Sequence, residues 1–192
     1  MKGRALSCFL IAGILALLCF SGLARVNNAY ADASAQGKSG TAQVPAGVSR
    51  VFLNSGFEVY LGALTPSAIT NARPIAQAVP GQYQYLPPGS HDSLTYCLTL
   101  TMQAASDWVL AMPEVDGDYA LYVDNALVAD RVSGASARIY PLPDAQTVAC
   151  QIVVTGNGGF FTGLDTPPAV GTLTAINHLQ LIQAVTALLS AA

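Results

Sequence analysis

The sequence predicts an all-β fold, an antiparallel β-sandwich of the jelly-roll type, with an apolar segment at each end of the chain. Between residues 49 and 166, short runs of β-branched, aromatic and aliphatic residues alternate with clusters of Pro, Gly, Asn and Asp, a pattern typical of strands and turns. This region lacks the apolar spacing of any helix longer than one turn. Only the two ends of the chain carry long apolar runs, which excludes a polytopic membrane protein.

The composition excludes several other classes of protein. The chain has 192 residues, of which 52% are hydrophobic and 10% are charged. Disordered chains and long charged helices are rich in charge, so neither describes the whole sequence. Eight Lys and Arg stand against eleven Asp and Glu, and this acidic balance argues against a nucleic-acid partner. We therefore expect one globular domain with appendages.

Residues 1–31 have the organisation of a signal peptide. Lys2 and Arg4 precede a long apolar run, and Ala29-Tyr30-Ala31 has the small residues of a signal-peptidase site. We therefore predict cleavage after Ala31 and an exported protein, on the periplasmic or extracellular face of the bacterial cytoplasmic membrane. The run is also long enough for an uncleaved anchor helix, and this alternative stays open.

Eight strands are predicted in residues 49–166, after a flexible linker of Ala, Ser, Gly and Gln at residues 32–48. Asp116-Gly117 and Asp124-Asn125 suit tight hairpin turns, because Gly, Asn and Asp accept positive φ most readily. Short strands in this number, over roughly 115 residues, are typical of a sandwich or jelly roll. The predicted strands are Val51–Leu53, Phe57–Leu61, Leu94–Met102, Trp108–Met112, Tyr119–Val123, Ala126–Val128, Ala137–Tyr140 and Val148–Thr155.

The C-terminal segment, residues 167–192, is predicted to contain an apolar helix. Residues 173–192 carry no charge and, at about 1.5 Å per residue, are long enough to cross the hydrocarbon of a bilayer. We expect the first transmembrane helix of a longer protein, cut short, which would attach the domain to a membrane. Polar residues near its start, such as Asn177 and Gln180, favour the alternative of an amphipathic helix.

Two cysteines, Cys97 and Cys150, remain after removal of the signal peptide. Both lie in predicted central strands, and an exported protein matures in an oxidising compartment, so a disulfide between them is one alternative. The other alternative is a pair of buried thiols that pack as small apolar side chains.

Several strands share motifs, in the same order, with a known family. They are GFEVY at Gly56–Tyr60, Val79-Pro80-Gly81 followed by Tyr83, Thr95-Tyr96-Cys97-Leu98, DYALYVDNALV at Asp118–Val128 and VVTGNGGFFTGL at Val153–Leu164. Together they resemble the extracytoplasmic jelly-roll sensory domain of bacterial seven-transmembrane receptors with diverse intracellular signalling modules. Sugar-binding jelly rolls of glycoside hydrolases share much of the pattern. The resemblance implies a galactose-binding-like sandwich followed by a first membrane helix.

The sequence lacks the motifs of common catalytic sites. It contains no GxSxG and no HExxH, and adjacency in Ser90-His91-Asp92 is not evidence of catalytic-triad geometry. We therefore predict that the protein is not an enzyme and has no cofactor. The acidic residues of the domain lack the spacing of an EF-hand loop, so no metal site is predicted; a structural calcium ion, which many jelly rolls carry, is the alternative.

Aromatic residues give the better indication of a binding site. Sugar rings stack on exposed aromatic faces, while Asp and Asn side chains satisfy the hydroxyl groups. For the strand residues Trp108 and Tyr122 the alternative is packing in the core. The candidate ligand-binding residues are Trp108, Tyr122, Asp124, Asn157, Phe160 and Phe161.

These features predict a non-enzymatic, extracytoplasmic sensory domain of a membrane signalling receptor, here without its output module. Its partners would be a small-molecule or carbohydrate ligand and, through the C-terminal helix, a membrane. The alternative is a secreted carbohydrate-binding or protein-interaction module with no role in signalling.

Overall fold

Two β-sheets face each other across an apolar core, so the predicted all-β sandwich is confirmed. The structure, a computed structural model, describes residues 40–75, 93–103, 107–156, 162–164 and 166–190. The predicted signal peptide lies outside these residues. The strands are β1 (Thr41–Gln43), β2 (Arg50–Phe52), β3 (Glu58–Leu61), β4 (Ser93–Thr101), β5 (Trp108–Met112), β6 (Val115–Asp116), β7 (Asp118–Val123), β8 (Ala126–Ser133), β9 (Arg138–Pro141), β10 (Thr147–Thr155), β11 (Gly163–Leu164) and β12 (Ala169–Thr172), and the helices are α1 (Pro66–Ile69) and α2 (Leu173–Ser190).

The first sheet, sheet A, is built around the pair of nine-residue strands β4 and β10. β10 also pairs with β7, and β7 pairs with β8 at the edge of the sheet. The other side of β4 is shared by two short strands, because β3 pairs with its first half and β1, in parallel, with its second half. Sheet B has the order β2-β12-β5-β9 with antiparallel pairing throughout. β6 and β11 form a separate short pair.

Alternate residues of the strands fill the space between the two sheets. This alternation follows from the two-residue period of a strand, which sends successive side chains to opposite faces. Burial of each large apolar side chain stabilises the fold by about 1.5–3 kcal/mol. The inward residues that are 4% exposed or less include Leu94, Tyr96, Leu98 and Leu100 of β4, Val148, Cys150, Ile152 and Val154 of β10, and Val51, Leu110, Met112 and Val170 of sheet B.

A hydrogen bond between two tyrosines also joins the sheets. Tyr119 of β7 and Tyr140 of β9 bring their hydroxyl oxygens to 2.7 Å, and their rings meet edge to face. Burial and this hydrogen bond raise the pKa of Tyr119 above its usual value. The buried hydroxyl group is therefore satisfied at the rim of an otherwise apolar core.

The eight predicted strands are all present, but the structure adds four short ones. β1 lies within the predicted linker 32–48, and Ala42 and Val44 are buried at 3% and 5% exposure. The linker prediction is therefore wrong for β1. This segment has no strand pattern of its own, and it forms a strand because it pairs with the edge of β4. The boundary at residue 166 is also too early, because β12 continues sheet B to Thr172.

The two predicted hairpin turns have different outcomes. Asp124 and Asn125, with φ of 49° and 66°, join β7 to β8 as predicted, and Val123 pairs with Ala126 across the turn. Asp116-Gly117 is not a hairpin, because β6 pairs with β11 and the chain then passes into sheet A. Gly117 has φ of 126°, and a Cβ there would lie 2.3 Å from the carbonyl oxygen of Thr155. Glycine is thus required at this crossing.

The predicted C-terminal apolar helix is present as α2, and it begins without a loop after β12. The N–H of Ala175 donates a hydrogen bond to Oγ1 of Thr172 at 3.3 Å, so Thr172 caps the helix. The N–H of Leu173 donates to the carbonyl oxygen of Asp107 at 2.8 Å. By length and composition, α2 could cross a membrane: its mean hydropathy is 1.2 over 18 residues.

The first turns of α2 pack on the outer face of sheet B. Ile176 is fully buried there with Val109 and Ala169. Arg50 of β2 donates from Nη1 to the carbonyl oxygen of Ala175 at 3.1 Å, and its guanidinium lies 5.9 Å from the ring centroid of Phe52. The start of the helix is therefore held to the sandwich by apolar packing and by a charged hydrogen bond.

The core of the sandwich generates a stability prediction. Leu110 is fully buried and Leu127 is 52% exposed, so the same leucine-to-alanine change should have different effects at the two sites. Leu110→Ala should lower the free energy of unfolding by about 2–5 kcal/mol through the lost contacts and the cavity left behind, and Leu127→Ala by less than about 0.5 kcal/mol. Urea unfolding followed by the fluorescence of Trp108, the only tryptophan, measures both; equal losses would contradict this placement of the core.

Candidate functional site

A row of four polar side chains crosses the outer face of sheet A. Glu58 of β3 pairs with Cys97 of β4, Cys97 pairs with Gln151 of β10, and Gln151 pairs with Tyr122 of β7. Residues that pair directly in antiparallel strands project from the same face of the sheet. The four side chains therefore lie side by side on the face that points away from the core.

These four residues line a cavity of about 180 Å³. Pro66 and Ile69 of α1 form part of its wall, and Asn125 contributes from the turn between β7 and β8. Carboxylate, amide, phenol and thiol groups thus converge on a small concave surface. Convergent polar groups in a concave surface are the usual features of a small-molecule site.

The segment that forms one wall of the cavity is fixed to the sheet by two buried polar side chains. Thr95, fully buried, donates from Oγ1 to the carbonyl oxygen of Gly62 at 2.7 Å and accepts a hydrogen bond from the N–H of Leu64 at 3.0 Å. Gln151, 7% exposed, donates from Nε2 to the carbonyl oxygen of Leu64 at 2.6 Å. Since burial of a polar group is costly unless it is hydrogen-bonded, these bonds hold residues 62–64 against the sheet.

The carboxylate of Glu58 sets the electrostatics of the cavity. The hydroxyl of Tyr60 donates a hydrogen bond to Oε2 of Glu58 at 2.7 Å. Burial, and then the nearby charge of Glu58, raise the pKa of Cys97 from 9.0 to about 12. The thiol is therefore protonated at neutral pH, and a protonated thiol is a poor nucleophile.

Of the residues predicted from the sequence to bind a ligand, Tyr122 lies in this cavity. It is half-buried, and its neighbour across the strands is Gln151. Trp108 does not belong to the site, and this prediction is corrected: its side chain is 5% exposed and packs in the core between the sheets. Its position on β5 sends the indole inward, so the ring offers no face to a ligand.

Asp124 is exposed at the turn beside the cavity. Its Oδ1 accepts a hydrogen bond from the N–H of Ala149 at 2.8 Å, and its φ is positive at 49°. The structure thus assigns it a role in closing the turn between β7 and β8. The remaining three predicted residues, Asn157, Phe160 and Phe161, lie outside the described residues.

Sequence reasoning missed the other polar residues of the row. Glu58, Cys97 and Gln151 occupy outward positions of β3, β4 and β10. Alternation of apolar residues indicates such a position for Cys97 in SLTYCLTLT, but EVYL and TVACQIVVT do not alternate as clearly. Alternation alone does not tell which outward residues of distant strands become neighbours. That information lies in the register between β3, β4 and β10.

The same register separates the two cysteines. Cys97 pairs with Gln151, whereas Cys150 pairs with Leu98, so the two side chains project from opposite faces of the sheet. Both are free thiols in the structure, and not a disulfide. The alternative of a buried thiol packed as an apolar side chain describes Cys150, whereas Cys97 is half-buried on the outer face beside Glu58 and Gln151. Cys150 is 4% exposed in the core, and burial, followed by the charge of Asp124, raises its pKa to about 12.

A second, larger cavity of about 490 Å³ lies between α2 and the outer face of sheet B. Small side chains on the sheet, Ala111 and Ala169, leave space beneath Leu179 and Gln180 of the helix, while Glu114 stands at its border. Within the ranges that the structure describes, neither this cavity nor any other place brings together three His, Cys, Asp or Glu side chains able to hold a metal ion.

Comparison with known proteins supports the fold. No protein-family model matches the sequence, and no curated protein matches it. Among solved structures, a GH2 β-galacturonidase from Eisenbergiella tayi has a TM-score of 0.50 at 13% identity, both with glycerol and with galacturonate bound; the match covers 65% of this chain and 24% of that one. A β-glucuronidase from Faecalibacterium prausnitzii has a TM-score of 0.48 at 14% identity, covering 64% and 31%.

The galacturonidase match establishes a shared β-sandwich fold. It agrees with the relation to glycoside hydrolase jelly rolls that the sequence motifs predicted. This chain spans about a quarter of the length of that enzyme, so the match concerns one part of the larger protein.

Burial, and then the charge of Glu58, predict that the Cys97 thiol reacts slowly with alkylating agents. At about pH 8, iodoacetamide should alkylate Cys97 in the folded protein much more slowly than in the urea-unfolded protein, because a raised pKa leaves little thiolate. The rate should increase as the pH rises towards 12, and Glu58→Gln should increase it at fixed pH by removing the neighbouring charge. Mass spectrometry of labelled peptides measures the rate.

The urea-unfolded sample is the control, because both thiols are accessible to the reagent there. Without reductant, both Cys97 and Cys150 should be labelled fully in urea, as expected for two free thiols. Equal rates for Cys97 in the folded and unfolded protein would contradict the raised pKa, and two unlabelled cysteines in urea would instead indicate a disulfide.

Proposed function

We propose that this chain is the extracytoplasmic, non-enzymatic ligand-binding domain of a membrane signalling receptor, and that it binds a carbohydrate on the outer face of sheet A. The observation that carries the proposal is the row of Glu58, Cys97, Gln151 and Tyr122 lining one cavity. The predicted signal peptide, residues 1–31, supplies the route of export. The wider resemblance to sensory jelly rolls supplies the receptor context.

The chemistry of the cavity supports a sugar ligand. Hydroxyl groups of a sugar need both hydrogen-bond donors and acceptors, and the amides of Asn125 and Gln151, the hydroxyls of Thr99 and Tyr122 and the carboxylate of Glu58 provide both kinds. The ring of Tyr122 adds an apolar surface for the faces of sugar carbons. The GH2 enzyme that shares the fold acts on, and was solved with, a uronic acid sugar.

The state of the polar groups supports binding without catalysis. The thiol of Cys97 is held in its neutral form by a pKa of about 12. Burial, and then the hydrogen bond to Glu58, raise the pKa of Tyr60 above its usual value, so its hydroxyl also stays protonated. Catalytic nucleophiles need the opposite shift, a lowered pKa or an adjacent base. These groups are suited to hydrogen bonding.

The second half of α2 supports attachment to a membrane. The helix is clear of the sandwich beyond Gln183, and Leu181, Leu188 and Leu189 are 61%, 73% and 68% exposed. These turns carry no charge. The hydroxyls of Thr186 and Ser190 donate to the carbonyl oxygens of Ile182 and Ala187 in the same helix, as suits a helix surrounded by lipid. A ligand could signal through this helix only if it bound two orientations of the helix with different affinity.

The secreted module without a signalling role is the second candidate, and one observation favours it. The first turns of α2 are packed on sheet B through Ile176 and Arg50. Those residues cannot be buried in the sandwich and inserted in a bilayer at once. In a secreted module, α2 would therefore belong entirely to the domain.

Ligand binding is tested by variants on the two sheets. Tyr122→Ala should weaken binding of sugars roughly tenfold, because an aromatic contact in a binding site contributes on the order of 1 kcal/mol or more. Phe52→Ala is the matched control, since it removes a ring from the outer face of sheet B. A panel of immobilised oligosaccharides, followed by calorimetry of those that bind, measures the effect. Equal losses from both changes, or sugar binding unaffected by Tyr122→Ala, would contradict the assigned site.

The membrane role is tested by a deletion that spares the packed turns. Protein that starts at residue 32 should sediment with membranes and require detergent for release, whereas the same protein without residues 184–192 should be soluble, because the exposed apolar turns are removed. The variant Leu127→Asn, at an exposed leucine of β8, is the control and should stay with the membrane. Protein of residues 32–192 that is soluble and monomeric without detergent would favour the secreted module.

A further inference from the structure

We propose that the cavity on sheet A prefers sugars that carry a free amino group over neutral sugars and over uronic acids. The inference rests on the proposed carbohydrate-binding function and names the substrate class of that same site. It follows from the negative charge of the Glu58 carboxylate, from its position in the cavity and from the neighbouring groups that hold it there.

The charge that lines the cavity is negative. Glu58 is the only charged residue among the described residues that line the cavity, which include no Lys and no Arg. A ligand carboxylate would therefore meet a like charge without any compensating cation. A ligand ammonium group would meet an opposite charge, and nothing charged among the described lining residues would compete for Glu58.

Two neighbouring residues hold the carboxylate of Glu58 in position. The hydroxyl of Tyr60, itself 5% exposed, donates to Oε2 of Glu58 at 2.7 Å. On the other side, a Cβ at Gly40 would lie 3.2 Å from Cδ of Glu58, so the backbone of Gly40 closely adjoins the carboxylate. The side chain is thus confined between β3 and the residue that precedes β1, and a confined partner loses less entropy on binding.

A sugar can present a hydroxyl group or an ammonium group to this carboxylate. A hydroxyl group donates a neutral hydrogen bond, and an ammonium group donates a charge-assisted one that is roughly twice as strong. The remaining lining groups, such as Asn125 and Thr99, are uncharged and serve neutral and amino sugars alike. The preference should therefore arise at Glu58 alone.

The size of the cavity limits the ligand. The cavity, at about 180 Å³, is smaller than the roughly 300 Å³ at which pockets for drug-sized ligands begin. It suits one sugar ring, so a single amino-bearing residue, free or at the end of a chain, is the unit recognised.

The test compares sugars that differ in one substituent. Binding of glucosamine, glucose, N-acetylglucosamine and glucuronate to the full-length protein in detergent is measured by NMR titration in mildly acidic buffer, where the amine is protonated. The galactose series is measured in parallel, and ethanolamine serves as an amine without a sugar ring. The variants are Glu58→Gln and its matched control Glu114→Gln, which removes an exposed carboxylate at the other cavity.

In the wild-type protein and in Glu114→Gln, the amino sugar of at least one series should bind roughly tenfold more tightly than its neutral and N-acetylated counterparts, and the uronate should bind most weakly. Glu58→Gln should abolish the difference between amino and neutral sugars while neutral sugars still bind, which also shows that the variant is folded. Ethanolamine should bind far more weakly than the amino sugar.

Three results would overturn the inference: neutral sugars that bind the wild-type protein as tightly as amino sugars, an amino preference that persists in Glu58→Gln, or ethanolamine that binds as well as the amino sugar. Each of these leaves the carbohydrate-binding proposal to be judged by the sugars that do bind. Failure of every sugar in both series to bind would instead contradict the proposed function itself.

Discussion

The continuous antiparallel pairing of β4 with β10 is the constraint on which the rest of the structure depends. Nine residue pairs join the strands without a shift, from Ser93 opposite Thr155 to Thr101 opposite Thr147. Because side chains alternate along a strand, this one register decides which residues enter the core and which form the outer face. A slip of one residue would exchange the two sets. The other strands of sheet A add to this pair and inherit its two faces.

The two faces of sheet A have different chemistry. The inner face is apolar and meets sheet B, so its contribution is the free energy of burial. On the outer face, a segment of chain bonded to Thr95 and Gln151 covers part of the sheet and leaves one cavity uncovered. The single carboxylate of Glu58 has a larger effect there than in water, because partial burial lowers the effective dielectric constant. It adds to burial in raising the pKa of the adjacent thiol, and it is the group on which the proposed ligand preference rests.

The junction between β12 and α2 links the sandwich to the helix that is proposed to enter the membrane. Thr172 both ends the strand and caps the helix, and Arg50 ties the first turn to the neighbouring strand. A rotation of the helix would therefore have to break a hydrogen bond and expose Ile176. The cavity beside this junction shows where sheet and helix are not tightly packed, so movement of the helix would meet least resistance there. The proposed signalling role depends on whether the first turns of α2 stay packed on sheet B or enter the lipid.

The sequence by itself determined the fold class, eight strands, the turn at Asp124-Asn125 and the apolar helix, because each depends on local preference: alternation, turn residues or an uncharged run. Only the tertiary structure decided what depends on pairing between distant segments. Three residues of the predicted linker became β1 because the edge of β4 was there to accept them. The two cysteines separated because of their register, Trp108 entered the core because of the face it occupies, and Glu58 joined Tyr122 because two intervening strands place them in one row. No local pattern carries that information, since it arises when non-adjacent strands select their partners.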